Sequence, residues 1–143
     1  MKLFKNYQED DVLAKVLFIY LAVQHSIMGA FLVFDTESMM IYPSVQGVAR
    51  LLPVDLWGSF LLASAVLFIA TIIQENKLSF IFMITAGLLG MVTFGLLAMA
   101  GIELSSYRVT TIHFIVVASV DCIVTILGGV ALWLRITMFR TKN

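Results

Sequence analysis

Four stretches, residues 12–34, 55–73, 78–102 and 109–134, dominate this sequence, because each holds close to 20 or more mainly apolar residues. A helix needs about 20 such residues to cross the hydrocarbon of a bilayer. Charged or turn-forming residues interrupt the pattern at Asp35-Thr36-Glu37-Ser38, at Gln74-Glu75-Asn76-Lys77 and at Glu103 to Arg108. The last two breaks are too short to do more than reverse the chain. The expected fold class is therefore an all-α integral membrane protein: one transmembrane domain over 1–143, with four transmembrane helices in an antiparallel bundle.

Composition agrees with that reading. Of the 143 residues 61% are hydrophobic and 13% charged, against about half and a quarter in a soluble domain. Nine basic and nine acidic residues cancel, so no global field points to nucleic acid as a partner. A lone cysteine, Cys122, excludes an internal disulfide. The first apolar stretch is longer than the core of a secretory leader and is expected to stay in the mature protein.

Basic residues set the orientation, since short cytoplasmic loops retain them. Lys2, Lys5, Lys15, Lys77, Arg135, Arg140 and Lys142 fall on one side, and Arg50 and Arg108 on the other. Both termini are expected in the cytoplasm, with the protein in a plasma (inner) membrane. Short loops suit a bacterial or phage-encoded protein. Trp57, Tyr107 and Trp133 lie near span ends and are read as interfacial anchors.

The one sizeable outer connection is 35–54. Between Pro43 and Pro53, the residues Val45, Val48, Leu51 and Leu52 recur at helical spacing, while Gln46 and Arg50 fall elsewhere. This pattern predicts a short interfacial helix between the first two spans, either dipping its apolar side into headgroups or covering the bundle as a lid.

Polar side chains at membrane depth are the main functional candidates. An aspartate at a helix centre costs roughly 2.5 to 3.5 kcal/mol on insertion scales, so it normally faces protein or water. Asp121 precedes Leu134 by 13 residues, which places it near the midplane at about 1.5 Å per residue. Gln24 and His25 lie about as far from the inner end of the first span, and Ser64 is central in the second. A midplane cluster of Gln24, His25, Ser64 and Asp121 is expected. It could relay protons, or it could be a buried polar knot that fixes helix register.

His113 lies two turns outward of Asp121 and about 80° around the helix, a possible outward extension. His25 and His113 differ in depth by about 12 Å, too far to clamp one haem iron. Neither histidine belongs to a spaced ligand set, and no catalytic motif is present, so neither metal, cofactor nor enzymatic activity is expected. Small residues at Ala86, Gly87, Gly90 and Gly95, and at Gly128 and Gly129, are read as helix-packing positions.

These readings point to a non-enzymatic accessory or assembly protein that binds other membrane proteins or copies of itself within the lipid bilayer. The alternatives are a holin-like pore or ion conductor using the midplane cluster, and a small-molecule carrier with a site beneath the outer helix.

Overall fold

The computed structural model describes residues 2–74, 77–105 and 109–140, with side chains described for 12–74, 78–104 and 109–137. Among them helices are the only regular structure: α1 (Lys2–Phe34), α2 (Thr36–Met39), α3 (Pro43–Ala49), α4 (Val54–Ile73), α5 (Lys77–Ser105) and α6 (Val109–Arg140). Four contain spans long and apolar enough to cross a membrane: Val12–Phe34, Val54–Ile73, Leu78–Leu104 and Val109–Thr137. Less than 40% of each span's most apolar stretch is buried inside the protein, so most of its apolar surface is left for lipid or another protein.

Helix is the necessary state for such segments, because hydrocarbon offers no partner for an open backbone N–H or C=O. The helices overrun the spans. At 33 and 32 residues, α1 and α6 measure about 50 Å at 1.5 Å per residue, against about 30 Å of hydrocarbon. Apolar sequence marks where lipid ends, and the helical hydrogen bonds continue into the polar flanks. Several hydroxyl side chains within the spans are satisfied locally, whereas the buried Thr93 hydroxyl has no hydrogen-bond partner among the described residues. Thr71, Thr85, Ser119, Thr125 and Thr137 each donate to the carbonyl four residues earlier, which removes most of their burial cost.

Helix α4 packs against α1 and α5, and α5 packs against α4, α6 and α3. Between α1 and α4, Phe18 stacks on Phe68, His25 meets Ser64 and Gly29 meets Gly58. The Gly29 and Gly58 backbones nearly touch: a Cβ on either would sit 2.8 to 2.9 Å from the other's carbonyl oxygen. This close crossing is the main use of small residues between α1 and α4, and it involves glycines outside the set expected from sequence. Of that set, Gly87 and Gly90 lie against α6, Gly128 lies against Met83 and Ile84, and Ala86 is fully buried. Gly95 and Gly129 are not packing positions within the chain, since a Cβ at either would meet nothing within 4 Å. Each falls on a helix face turned away from its neighbours.

The connection between α1 and α4 forms two short helices. Pro43 opens α3, where its missing N–H costs nothing. Val45 and Val48 turn into the core, 0% and 2% exposed, whereas Leu51 and Leu52 are exposed. The expected four-residue apolar face is therefore split: α3 ends at Ala49, and the helical spacing fails beyond it. What the face covers is the α5 side of the bundle. Trp57 is likewise not an interfacial anchor. It is 5% exposed, and its ring Nε1–H donates to the Val48 carbonyl at 3.2 Å, tying α4 to α3. Trp133 is 64% exposed. Tyr107, Arg108 and Lys142 lie outside the described residues, as do the side chains of Lys2, Lys5, Lys77 and Arg140.

Candidate functional site

Four buried groups, one from each spanning helix, meet at the centre of the bundle. The side chains of His25 on α1, Ser64 on α4 and Asp121 on α6 are all 0% exposed. His25 Nδ1 lies 2.7 Å from Ser64 Oγ. The Ser64 hydroxyl donates to the backbone carbonyl of Ala86 on α5 at 2.8 Å. On the other edge of the ring, His25 Nε2 lies 3.2 Å from Asp121 Oδ2.

These contacts fix most of the protons. A serine has one hydroxyl hydrogen, and Ser64 spends it on Ala86, so Ser64 can only accept from His25 and Nδ1 must carry a hydrogen. Nε2 and Asp121 can hold one further proton between them, as imidazolium with carboxylate or as imidazole with carboxylic acid. Both forms leave the cluster without net charge, the condition under which polar groups survive in an apolar interior. The pair is within ion-pair reach but not in line for a hydrogen bond, so Nε2 and both Asp121 oxygens lack a directed partner.

The surroundings are tight and apolar. His25 sits edge-on to Phe68, with ring centroids 5.4 Å apart, and beside Phe94 at 5.2 Å. Phe68 belongs to the cluster formed with Leu21, Ala22, Ala86 and Val124, and Phe94 to the larger one around Leu61, Leu97 and Trp57. The histidine is thus the junction of two apolar cores. Gly90 forms one wall, where a Cβ would collide with Asp121 Oδ2 and with His25 Cε1.

Not every expected member joins. Gln24 is half-buried, and its amide reaches back to the Tyr20 hydroxyl at 3.5 Å. Adjacent residues diverge by about 100° around a helix, so α1 can aim only one of Gln24 and His25 at the centre. His113 is exposed and has the neighbouring Phe114 ring at 6.2 Å. Among the described residues no group of three or more His, Cys, Asp or Glu side chains is placed to hold a metal ion. Phe68, Phe94, Ala86 and Gly90 were not read from the sequence as belonging to this cluster. Only Gly90 carried a hint, as a small residue in the helix that must pass close to Asp121.

A separate cavity of about 450 Å³ lies toward the other end of α1. It is lined from α1, α2, α3 and the first turns of α6, and includes none of Gln24, His25, Ser64 and Asp121. Phe114 connects the two regions, lining the cavity while its ring lies 5.9 Å from Phe94.

Four spanning helices around a sealed polar centre define a multi-pass membrane protein. Compared with models of protein families, with curated proteins and with solved structures, the chain gives no match.

Proposed function

We propose that this chain is a small non-enzymatic accessory or assembly protein of a bacterial or phage-encoded inner-membrane system, acting through helix contacts with copies of itself or with other membrane proteins. The observation that carries this reading is the closed polar centre, to which each spanning helix contributes one group. On one side the hydrogen bonds end at a backbone carbonyl, and around the ring stand Phe68 and Phe94. Such a centre holds register, whereas a conductor needs exchangeable groups continuing toward both faces. With the centre enclosed among the four helices, function falls to the outward apolar faces, including the uncommitted glycines 95 and 129.

The helices form an antiparallel bundle in this reading, supported by contact pairs in which one residue number rises as the other falls: 18 with 68, 25 with 64, 29 with 58. Both termini lie in the cytoplasm, from the distribution of Lys and Arg, and α3 lies at the outer interface. The test is proton and ion flux in proteoliposomes, for wild type and Asp121→Asn, alongside native mass spectrometry from mild detergent. We expect no flux above empty vesicles for either protein, and a defined oligomer or co-purifying partner. Flux in wild type that disappears in Asp121→Asn overturns the reading in favour of a conductor.

A second reading, a ligand-binding membrane protein, is favoured by the 450 Å³ cavity beside α2 and α3.

A further inference from the structure

We infer that this cavity binds an organic cation, an ammonium group carried on an apolar body. The inference rests on the ligand-binding reading and gives it a ligand class. The volume of about 450 Å³ lies within the range of pockets that enclose small molecules, about 300 to 1,000 Å³. Such sites combine an apolar lining with a few polar groups that orient the ligand. Here Met28, Phe31 and Phe114 supply apolar surface, and Asp35, Ser38 and Thr110 supply polar groups.

Depth and charge select the head group. The α1 span ends at Phe34 and the α6 span begins at Val109, so Asp35 and Thr110 stand at the membrane boundary while Met28 and Phe31 lie within it. A ligand here keeps one end wet and one end dry. Asp35 is the one charged residue among the described residues lining the cavity, and it is exposed. Glu37 follows within the same turn, also exposed, and no lysine or arginine is among the described residues that line the space. A carboxylate above an aromatic and thioether surface suits a cation with an apolar body, through direct pairing and through attraction to ring faces. An anion would meet repulsion, and a neutral molecule would gain at most a hydrogen bond to Asp35 without the charge pairing. The same chemistry is presented by a free amine and by the head group of an aminolipid, either of which fits the assignment.

The test uses the full-length protein in dodecyl maltoside with monodansylcadaverine, a fluorescent primary amine, and its neutral N-acetyl derivative, each read against protein-free micelles. Wild type is expected to bind the amine at least tenfold more tightly than the acetylated form. Asp35→Asn, on an exposed side chain and so safe for folding, is expected to bring that ratio close to one. Met28→Trp, which fills the space from α1, is expected to abolish binding of both probes while the protein stays folded by circular dichroism. Adding phosphatidylethanolamine rather than phosphatidylglycerol separates the sources: competition by the former only assigns an aminolipid, and equal effects assign a soluble amine. Equal affinity of wild type for the two probes overturns the cation assignment and leaves the ligand-binding reading standing. An unchanged ratio in Asp35→Asn does the same. Absence of binding by both probes overturns both.

Discussion

Replacing His25 with leucine should destabilise this protein more than replacing His25 and Asp121 together. In His25→Leu the fully buried Asp121 carboxyl loses the ring nitrogen 3.2 Å away. Removing one member of a buried pair costs about 3 to 5 kcal/mol in soluble proteins. Polar contacts between membrane helices are weaker, about 0.6 kcal/mol on average and up to about 1.7, because chains unfolded in lipid still find partners. A penalty of about 2 to 3 kcal/mol lies between these scales. Asp121→Leu is milder. The neutral ring keeps its Nδ1–H bond to Ser64, and only Nε2 loses its neighbour, at about 1 to 3 kcal/mol. The double variant leaves neither orphan, and Ser64 still donates to the Ala86 carbonyl. It should therefore be more stable than His25→Leu, with a coupling energy of at least about 1 kcal/mol. The assay is unfolding by sodium dodecyl sulfate in mixed micelles, followed by fluorescence of buried Trp57 in a Trp133→Phe background. Additivity within about 0.5 kcal/mol would refute energetic coupling between His25 and Asp121.

Three further outcomes follow from the packing. Gly90→Ala should cost about 1 to 3 kcal/mol as the added methyl forces His25 and Asp121 apart, whereas Gly95→Ala should be neutral or stabilising in the same unfolding assay, since nothing lies within 4 Å of its Cβ position. Gly58→Leu should separate α4 from α1, because Leu32 and the Gly29 carbonyl already lie within 3 Å of a Cβ there; faster hydrogen exchange around 25–34 is the readout. Trp57→Phe keeps the apolar bulk and removes the bond to the Val48 carbonyl, so it should lower stability by about 0.5 to 1.5 kcal/mol and raise exchange across 43–52 before it affects α1 or α6.

How much of this could be read from sequence depended on which coordinate was asked for. Depth was legible, because a helix advances a fixed 1.5 Å per residue and the bilayer supplies two reference planes. That arithmetic placed His25, Ser64 and Asp121 at one level, and the structure joins them. Rotation about each helix axis was not legible. Gln24 shares the depth of His25, but a 100° turn directs its amide to Tyr20 instead. Nor could Gly29 and Gly58 be told from Gly95 and Gly129, because a glycine has no side chain to betray which face is pressed against a neighbour. Trp57 failed for a related reason: a tryptophan near a span end fits a membrane belt, and only the return of α3 brings the Val48 carbonyl to its ring nitrogen.

The polar centre and the cavity are linked by a helix pair with little direct packing. Extensive packing joins α1 to α4, α4 to α5 and α5 to α6, whereas α1 and α6 are bridged mainly across the His25 and Asp121 side chains. The cavity opens between those same two helices, about one turn along α1 at Met28 and about two turns along α6 at Phe114. Its width is then set by the pair at one end and by α2 and α3 at the other. Asp121→Leu should for this reason alter probe affinity in the cavity without touching its lining, whereas Ser64→Ala, on α4, should change stability and leave affinity within about threefold, roughly 0.65 kcal/mol at 1.4 kcal/mol per tenfold. Equal effects of the two substitutions on affinity would show that the centre holds the four helices as one body, with no separate control of the gap between α1 and α6.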